Sequence, residues 1–569
     1  MALIALVFLA GSASGPTLAV RVWTITQTKH VLRSEPPGDA LAVTVGAARN
    51  EWVSFHILLR ADATTKILRV KAGDLSGPGG AVLCGADARL YRQHQLYLET
   101  GTTAGTGQNT EFKPDWFPDP LIPLQAPLPV KKLEDARFRA VPFDLPANET
   151  HGFWVDLFAP ASAAPGEYRG SYRLDIEGGK TFEIPVSLTV WNFTLPATAT
   201  LVTAFPSPVP ESPPSVWNAV EEQCAVMLSE HRFNAKPPSE LLSPVTATDG
   251  SFRIPSQQVL ALQKFVDRYH VNALRTPLPS SVVKDPETQR DKLRAWLAAF
   301  DKAALELNRP NVVFYMSLKN EPNTLEDYRY VQTWGRAIRD AKSVVKTMVI
   351  EQTWTAPGQA GADSAWGDLY GAVDIWCPSF PLHRQDSAAK RQKLGETVWT
   401  YTALCQVGPR GPWHNKPTPW WQIDFPLLNY RAPAWMAWRC HMKGLLYWGM
   451  SYWRESDDPW VHAPFFTGRG KLQEGKKGII FNGEGSLVYP AAAVGYKGIV
   501  PTIRLKALRD SIEDYEYLAI LDRLGKSAEA DKIVQAIAES FFTWDPNPAV
   551  WETARAKLAA LIESADKNK

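Results

Sequence analysis

The sequence lacks the features that mark several large classes of protein. Its 569 residues include only five cysteines, widely spaced and without a CxxC pair, so neither a zinc site nor a disulfide framework is indicated. The formal net charge is +2 and no long basic run is present, which argues against a nucleic-acid-binding protein. Phosphate loops, nucleotide-binding fingerprints and metal-ligand clusters are also missing. The sequence therefore predicts no cofactor and no bound metal.

Long hydrophobic runs are also missing, so the sequence predicts no membrane span. Residues 1–20 are apolar, but Gly and Pro interrupt them and they are too short to cross a bilayer. An apolar stretch followed by small residues is typical of a signal peptide, although no Lys or Arg precedes it here. We therefore expect export of the protein, to the periplasm or out of the cell.

Tryptophan, by contrast, is abundant. The chain has 22 tryptophans, and nine of them fall between residues 399 and 460. Large aromatic side chains fill protein cores, but they also form platforms on which the C–H face of a sugar ring stacks. The cluster therefore fits either a core or a carbohydrate site.

Three stretches with different residue patterns follow the apolar start. Residues 21–196 contain short runs rich in Val, Leu, Tyr and Trp, separated by Gly, Pro and Asn, which predicts an all-β sandwich. Residues 197–477 alternate strand-like and helix-like segments. Eight candidate strands in this stretch predict a (β/α)8 barrel, namely 201–205, 232–236, 271–276, 311–318, 346–354, 373–380, 397–405 and 444–453.

Residues 478–569 are predicted to form a helical C-terminal region packed on the barrel. Its first helix has Leu505, Leu508 and Ile512 on one face, which predicts an amphipathic helix ending near Asp522. Charged residues on the same segment are interpreted as structural ion pairs, because such pairs are common along packed helices; they are Arg504, Arg509, Glu513 and Asp514.

The segment NVVFYMSLKNEP, residues 311–322, is the best candidate for a catalytic position. On the barrel interpretation, Asn320 and Glu321 lie at the C-terminal end of the fourth strand, where barrels carry their active sites. Apolar and aromatic neighbours would keep Glu321 protonated by desolvation, ready to donate a proton to a leaving glycosidic oxygen. The alternative is a simple turn before the next helix, since three-residue motifs are weak evidence.

Several stretches resemble glycoside hydrolase family 123 and related bacterial proteins that end in a C-terminal domain of unknown function. They are ARNEWVSFHILL, HGFWVDLFAPASAAPGEYRGSYRLDI, GLLYWGMSYWRESDDPW and NGEGSLVYP followed by IRLKALRDSIEDYEYLAIL. The resemblance implies a β-N-acetylgalactosaminidase-like hydrolase whose substrate is a glycan. In that family the sugar's own 2-acetamido oxygen attacks the anomeric carbon. An Asp-Glu pair at the fourth strand holds the acetamido group and supplies the general acid.

The pair in this chain is Asn320-Glu321, so the resemblance carries the acid over to Glu321 but not the Asp. Asn320 can bond a sugar's 2-substituent, yet it cannot supply the counter-charge to a cationic intermediate. A substrate without an acetamido group would need a second carboxylate, and the seventh predicted strand, TVWTYTALC, has none. Candidates elsewhere are Glu351, Asp374, Glu455, Asp457 and Asp458. Those after the eighth strand are best placed. Asp374 is predicted to start its strand, at the wrong end of the barrel, and Glu351 is predicted mid-strand, where a buried pair with Arg275 or another cation is the alternative.

Other side chains at or near the predicted strand ends are candidates for lining a sugar pocket. They are Trp354, Phe380, His383, Tyr401, Trp448, Trp453 and Asp457. A core role for the aromatic residues, and a solvated role for His383 and Asp457, fit the sequence as well. Two other functions stay open beside glycoside hydrolysis: a non-catalytic carbohydrate-binding protein, and a cell-surface scaffold using an apolar patch on the sandwich.

Overall fold

A computed structural model describes most of the chain. The described residues are 19–26, 28–102, 109–127, 130–208, 218–356, 366–409, 411–453, 456–466 and 480–566. The predicted signal peptide, except for its last two residues, and Glu455 lie outside the described residues.

The N-terminal region is rich in β-strands, as predicted, and they form two sheets. The first sheet has the spatial order β1 (Val20–Ile25), β3 (Glu51–Ala61), β10 (His151–Ala159), β7 (Arg89–Leu98) and β8 (Asp115–Pro123). The second has the order β2 (Val43–Arg49), β12 (Thr181–Thr194), β11 (Gly166–Ile176), β4 (Thr65–Ala72) and β9 (Phe143–Leu145), with the short β5 (Leu75–Ser76) and β6 (Val82–Leu83) beside β11.

Alternation of side chains explains how these strands share one core. Along β12, Ile184, Val186, Leu188 and Val190 are buried, and the residues between them are more exposed. Successive side chains of a strand point to opposite faces, so one face of β12 is apolar. Buried residues of both sheets belong to the same apolar cluster, which holds the sheets together face to face.

A nearly closed parallel barrel follows. Its sheet has the order β13 (Val202–Ala204), β21 (Gly444–Tyr447), β20 (Thr397–Thr402), β19 (Ile375–Trp376), β18 (Lys346–Ile350), β17 (Val313–Asn320) and β16 (Ala273–Arg275). The helices of this region are α1 (Ala219–Glu230), α2 (Ser256–Tyr269), α3 (Arg290–Leu307), α4 (Leu325–Asp340), α5 (Gln385–Lys393) and α6 (Leu428–Arg439); a small hairpin, β14 (Val245–Thr246) with β15 (Phe252–Arg253), precedes α2.

The prediction of eight strands is wrong, because residues 232–236 form no strand. In their place, the Asn234 side chain bridges the edges of the sheet. Its amide nitrogen donates to the Thr203 carbonyl (3.0 Å) and to Asn272 Oδ1 (2.8 Å), and its Oδ1 accepts from the Asn272 amide (2.9 Å). A side chain that satisfies neighbouring polar groups removes the need for a backbone ladder. The described barrel therefore has seven strands and a side-chain bridge.

The C-terminal region closes over the barrel and the sandwich. It contains β23 (Phe481–Asn482), β24 (Val488–Pro490), β25 (Ile499–Pro501), α7 (Ile503–Arg523), α8 (Ser527–Ile537), β26 (Ala538–Ser540), β27 (Thr543–Trp544) and α9 (Pro548–Asp566). The strand β22 (Phe465–Phe466) pairs with β23 across the predicted domain boundary. Most of the clustered tryptophans serve as core, and Trp399, Trp421, Trp435 and Trp460 are fully buried.

The helix α7 is buried on all sides over most of its length, so the prediction of an amphipathic helix is wrong. Its charged residues face the sandwich and the barrel helices, where opposite charges meet them. Arg504 forms two hydrogen bonds with Asp119 of β8 (2.7 and 2.9 Å), and Lys506 Nζ lies 2.7 Å from Asp156 of β10. Buried charges are tolerated when they are paired in this way. Ion pairs of α7 therefore link the C-terminal region to the sandwich, and the structural interpretation of the charged residues of this helix is confirmed.

Candidate active site

The strand β17 carries the candidate residues to the mouth of the barrel. Tyr315 faces the interior, with other interior residues, whereas Leu318 packs outward in the cluster that contains the surrounding helices. Simple alternation along the strand would therefore turn Lys319 inward and Asn320 outward.

A β-bulge reverses that outcome. The pairing of β17 with β18 shifts between Ser317 and Lys319, after which Asn320 lies opposite Ile350, a residue of the interior cluster. Lys319 points outward and its ammonium group lies 2.6 Å from Asp327 of α4. Bulges of this kind often re-aim a side chain beside an active site. Here the bulge turns Asn320 toward the inner side of the mouth, but Asn320 is not among the residues that line the cavity described below.

Glu321 stands at the end of this strand in an unusual backbone conformation. Its φ of 46° is left-handed, which is costly for a residue with a Cβ, and Pro322 follows directly. The Glu321 N–H donates to the Ile350 carbonyl (3.2 Å), and the Asn323 side chain donates to the Glu321 carbonyl (2.7 Å). These bonds hold the strained turn. Glu321 is exposed at the mouth, which corrects the expectation of a desolvated side chain.

Tyr401 of β20 contacts the Glu321 carboxylate from another strand. The Tyr401 hydroxyl donates a hydrogen bond of 2.5 Å to Glu321 Oε1. Burial, followed by the charge of Glu321, raises the pKa of Tyr401 well above its usual value, so the phenol stays protonated and remains a donor. Side chains from β17 and β20 therefore meet in a carboxylate–phenol pair at the mouth.

A cavity of about 430 Å³ opens beside this pair. Its lining includes Glu321, Asn323, Glu351, Gln352, Ser379, Tyr401, Gln406, His414 and Asn415. The volume suits a ligand of the size of one or two sugar rings. Polar groups from several strand ends and one long loop therefore converge on one small space.

Glu351 is a second carboxylate in this cavity, and its predicted mid-strand position is wrong. The strand β18 ends at Ile350, so Glu351 follows directly after its carboxyl end. The residue is buried, and its charge contributes to the raised pKa of Tyr401. Arg275, its predicted partner, is exposed on β16, with β17 between the two strands. Glu321 and Glu351 thus lie at the ends of adjacent strands.

Three of the predicted sugar-binding residues pack beside the cavity without lining it. Trp354 donates from its indole N–H to the Leu382 carbonyl (2.8 Å), and the Arg384 guanidinium covers its ring at 3.7 Å. Phe380 is fully buried. Burial lowers the pKa of His383 to about 4, which keeps its ring neutral at neutral pH. These side chains support the loop after β19.

The candidates that follow β21 lie outside the lining of this cavity. Trp448 donates to the buried Glu484 (2.5 Å), and Trp453 packs against the main core. Asp457 is exposed, whereas Asp458 pairs with Arg137 of the sandwich region.

Asp374 lies at the start of its strand, as predicted, where it accepts a hydrogen bond from the Thr347 amide (2.9 Å) at the beginning of β18. The predicted second carboxylate near 455–458 is therefore less well placed than Glu351.

The polar residues of the lining that sequence reasoning missed include Gln352, Gln406, His414 and Asn415. Gln352 follows the end of β18 directly and could have been found once that end was placed correctly. The other three come from the long loop between β20 and α6, where no periodicity marks which side chains turn inward.

The described segments contain neither a candidate metal site nor a candidate membrane-spanning helix. No group of three or more His, Cys, Asp or Glu side chains there could hold a metal ion. None of the helices in that part of the chain is both long enough and apolar enough to cross a bilayer.

Comparisons with known proteins agree with the sequence resemblance. Residues 281–521 match the family model described as Glycoside hydrolase 123, catalytic domain. A solved structure of a family 123 glycoside hydrolase from Clostridium perfringens, described in terms of glycolipid glycan hydrolysis, is similar over 96% of this chain and 97% of its own, with 12% sequence identity and a TM-score of 0.60.

A family 39 glycoside hydrolase from Bacteroides cellulosilyticus WH2 aligns over 85% of this chain and 82% of its own, but with 10% identity and a TM-score of only 0.30. No curated protein matches the sequence significantly. The first structure shows that the fold extends over nearly the whole chain. Residues 281–521, which include the bulged strand, both carboxylates and Tyr401, are the part of the chain that matches the model of the family 123 catalytic domain.

Proposed function

We propose that this protein hydrolyses a glycosidic bond in the cavity at the barrel mouth, with Glu321 as the general acid. The observation that carries the proposal is the hydrogen bond between Tyr401 and Glu321 at the ends of two barrel strands. The match of residues 281–521 to the model of a glycoside hydrolase catalytic domain supports the same class of reaction.

The geometry suits an acid that must give up its proton. Glu321 donates a proton to the leaving oxygen as the bond between that oxygen and the anomeric carbon breaks, and the carboxylate becomes negative. The Tyr401 phenol already points at one of its oxygens and stabilises that negative charge as it forms. Interactions that strengthen during the reaction are the ones that accelerate it. Tyr401 is thus a positioning and stabilising residue for the acid.

Two routes complete the reaction, and they differ in their second group. In the substrate-assisted route, Asn320 holds a 2-acetamido group whose oxygen attacks the anomeric carbon. In the other route the sugar has no acetamido group, and Glu351 is the second carboxylate, which either attacks the anomeric carbon or deprotonates the water that attacks it. The presence of Glu351 in the lining of the same cavity favours the second route. Asn320, which faces the inside of the mouth, then bonds a 2-hydroxyl.

Hydrolysis of a panel of aryl glycosides, with and without a 2-acetamido group, tests both levels of the proposal. General acid catalysis contributes about 10²- to 10⁴-fold, so Glu321→Gln should lose that much on a poor leaving group. The same variant should lose far less on dinitrophenyl glycosides, which leave without a proton. Full activity of Glu321→Gln on poor leaving groups would contradict the acid role.

The second carboxylate is tested in the same assay. If Glu351 is the second carboxylate, then 2-hydroxy sugars are cleaved, Glu351→Gln removes that activity, and Asn320→Asp does not improve it. If only acetamido sugars are cleaved and Glu351→Gln stays active, the substrate-assisted route operates instead. Sugar binding without any turnover would identify a carbohydrate-binding protein, and absence of sugar binding would favour the scaffold alternative.

A further inference from the structure

A second and larger cavity lies beside the first and has no role in the chemistry described so far. It has a volume of about 1340 Å³, roughly three times that of the cavity at Glu321, and Asn415 lines both. Its walls come from all three regions of the chain: sandwich residues 28–35 and 109–117, barrel residues 415–429 and C-terminal residues 542–548. We call this space the distal cleft.

The distal cleft opens on the same face of the barrel as Glu321. Residues 415–429 belong to the connection from the carboxyl end of β20 to the start of α6, and a helix that follows a barrel strand begins on the catalytic face. The turn between β26 and β27 is attached to that face by two aromatic stacks. Phe541 stacks on Phe380 with ring centroids 4.6 Å apart, and Phe542 stacks on Trp413 at 5.1 Å. One side of the cleft is thereby fixed to the loops that follow β19 and β20.

The opposite side of the cleft is fixed by a buried carboxylate. Asp424 accepts hydrogen bonds from the Thr102 amide (2.7 Å) and hydroxyl (2.6 Å), while the Asn109 side chain donates to the Asp424 carbonyl (2.6 Å). The sandwich is therefore tied to the barrel loop at the floor of the cleft. A cleft held open in this way needs little reordering to accept a ligand, which favours binding.

The lining combines aromatic side chains with polar ones, as sugar sites do. The aromatic set is Phe112, Phe117, Trp420, Phe425, Phe542 and Trp544. Of these, Phe112, Phe425, Phe542 and Trp544 are half-buried, so they keep part of their surface toward solvent. Lys29, Glu35, Glu111 and Asp115 add groups that can bond hydroxyls. Aromatic surface with a few polar groups recognises the two kinds of surface that a pyranose ring presents.

We infer that the distal cleft binds the remote units of an extended glycan whose reacting unit occupies the cavity at Glu321. This inference rests on the proposed function and names its substrate class: an oligosaccharide or polysaccharide chain, not a single terminal sugar on a small aglycone. Asn415 marks the point where the chain passes from one space to the other. Contacts with remote units supply binding energy that positions the scissile bond.

Binding measurements on the full-length Glu321→Gln protein test the inference without turnover. Isothermal titration with the hexasaccharides and disaccharides of glucose, xylose, mannose, galactose and N-acetylglucosamine compares ligand lengths directly. At least one hexasaccharide should bind about tenfold or more tightly than its disaccharide, the size of effect that a well-packed aromatic contact supplies. Trp544→Ala and Phe112→Ala, from opposite walls, should each abolish most of that difference, while Trp544→Phe keeps it.

Trp366→Ala is the matched control, because Trp366 is 39% exposed and lies outside both cavities. Circular dichroism confirms that each variant is folded. Equal affinity for long and short ligands, no binding of any hexasaccharide, or wild-type length dependence in both cleft variants would overturn the inference. If aryl glycosides are cleaved but length has no effect, the distal cleft fails and the proposed function stands. If the cleft variants lose hexasaccharide binding but no aryl glycoside is cleaved, the distal cleft stands and the proposed function fails.

Discussion

The carboxylates of the barrel mouth and those around α7 differ in the partners they meet. Around α7, Asp119 and Asp156 are buried and contact Arg504, Lys506 and Arg509. At the mouth, Glu321 is exposed to a cavity and accepts a hydrogen bond from the neutral phenol of Tyr401. Buried cations hold the first two carboxylates in ion pairs away from solvent, whereas Glu321 meets a neutral donor and borders a cavity that a ligand could enter. The first arrangement stabilises the fold and the second suits acid catalysis.

Removing one member of a buried pair should break the stabilising side of this comparison most strongly. Asp119→Ala leaves the Arg504 guanidinium buried without its carboxylate, which should lower the free energy of unfolding by about 3–5 kcal/mol. Urea denaturation followed by tryptophan fluorescence measures the change. The matched control is Asp175→Ala, which removes an ion-paired carboxylate on the sandwich surface and should change little. Equal effects of the two variants would contradict the assignment.

Stability should also depend on pH through Glu513 of α7. Burial raises the pKa of Glu513 to about 8, although Arg232 and Arg509 oppose the rise, while Glu51 and Asp510 add to it. A raised carboxyl pKa means that the folded state holds the proton more tightly than the unfolded state. Its contribution is therefore full below the unfolded value of about 4.5 and is lost as pH rises toward 8, by at most about 1.4 kcal/mol per pH unit.

Thermal unfolding at pH 5, 6, 7 and 8 measures this slope. Glu513→Gln, which keeps the shape and cannot ionise, should flatten the decline between pH 5 and 8. An unchanged decline in that variant would assign the pH dependence to other groups.

Tyr401→Phe sharpens the comparison at the mouth. It removes the hydrogen bond to Glu321 but keeps the ring, and a bond to a charged group is worth about 1.5–3 kcal/mol. We expect kcat/KM on the best aryl glycoside to fall about 10- to 100-fold, with the basic limb of the pH–rate profile, where the general acid loses its proton, displaced toward higher pH. A fall in activity with an unmoved pH profile would mean that Tyr401 only shapes the cavity.

Asp457→Asn should have the smallest effect. Asp457 is exposed and lies outside the lining of the cavity at Glu321. We expect kcat/KM to stay within about twofold of wild type, since surface changes away from a site are nearly neutral. A large loss of kcat/KM in the same aryl glycoside assay would mean that the loop after β21 contributes to catalysis.

Much of the fold could be predicted because its signals are local. The runs at 311–318 and 397–405 were predicted to be strands, and β17 and β20 lie there. Asn320 and Glu321 were placed at a strand end because Pro322 stops the strand. Local patterns of this kind depend only on neighbours in the chain.

The sequence predictions were wrong where contacts between distant parts of the chain determine the structure. The bulge at Leu318 depends on pairing with β18, so counting alternate residues would turn Lys319 inward. Glu351 was assigned to mid-strand because the predicted strand ran on to Trp354, four residues past the end of β18. The polar face of α7 resembles a solvent face until the sandwich supplies its counter-charges, as Asp119 and Asp156 do.

The bridge made by Asn234 gives the barrel a seam. Elsewhere the ring is joined by backbone pairing between parallel strands, which tolerates exchange of side chains, but here closure depends on two side chains. Asn234 bonds Thr203 and Asn272, and the Asn272 side-chain amide donates to the Ala199 and Leu201 carbonyls. Opening fluctuations of the barrel should begin at this seam, so hydrogen exchange of the edge strands β13 and β16 would report directly on the identity of these two asparagines.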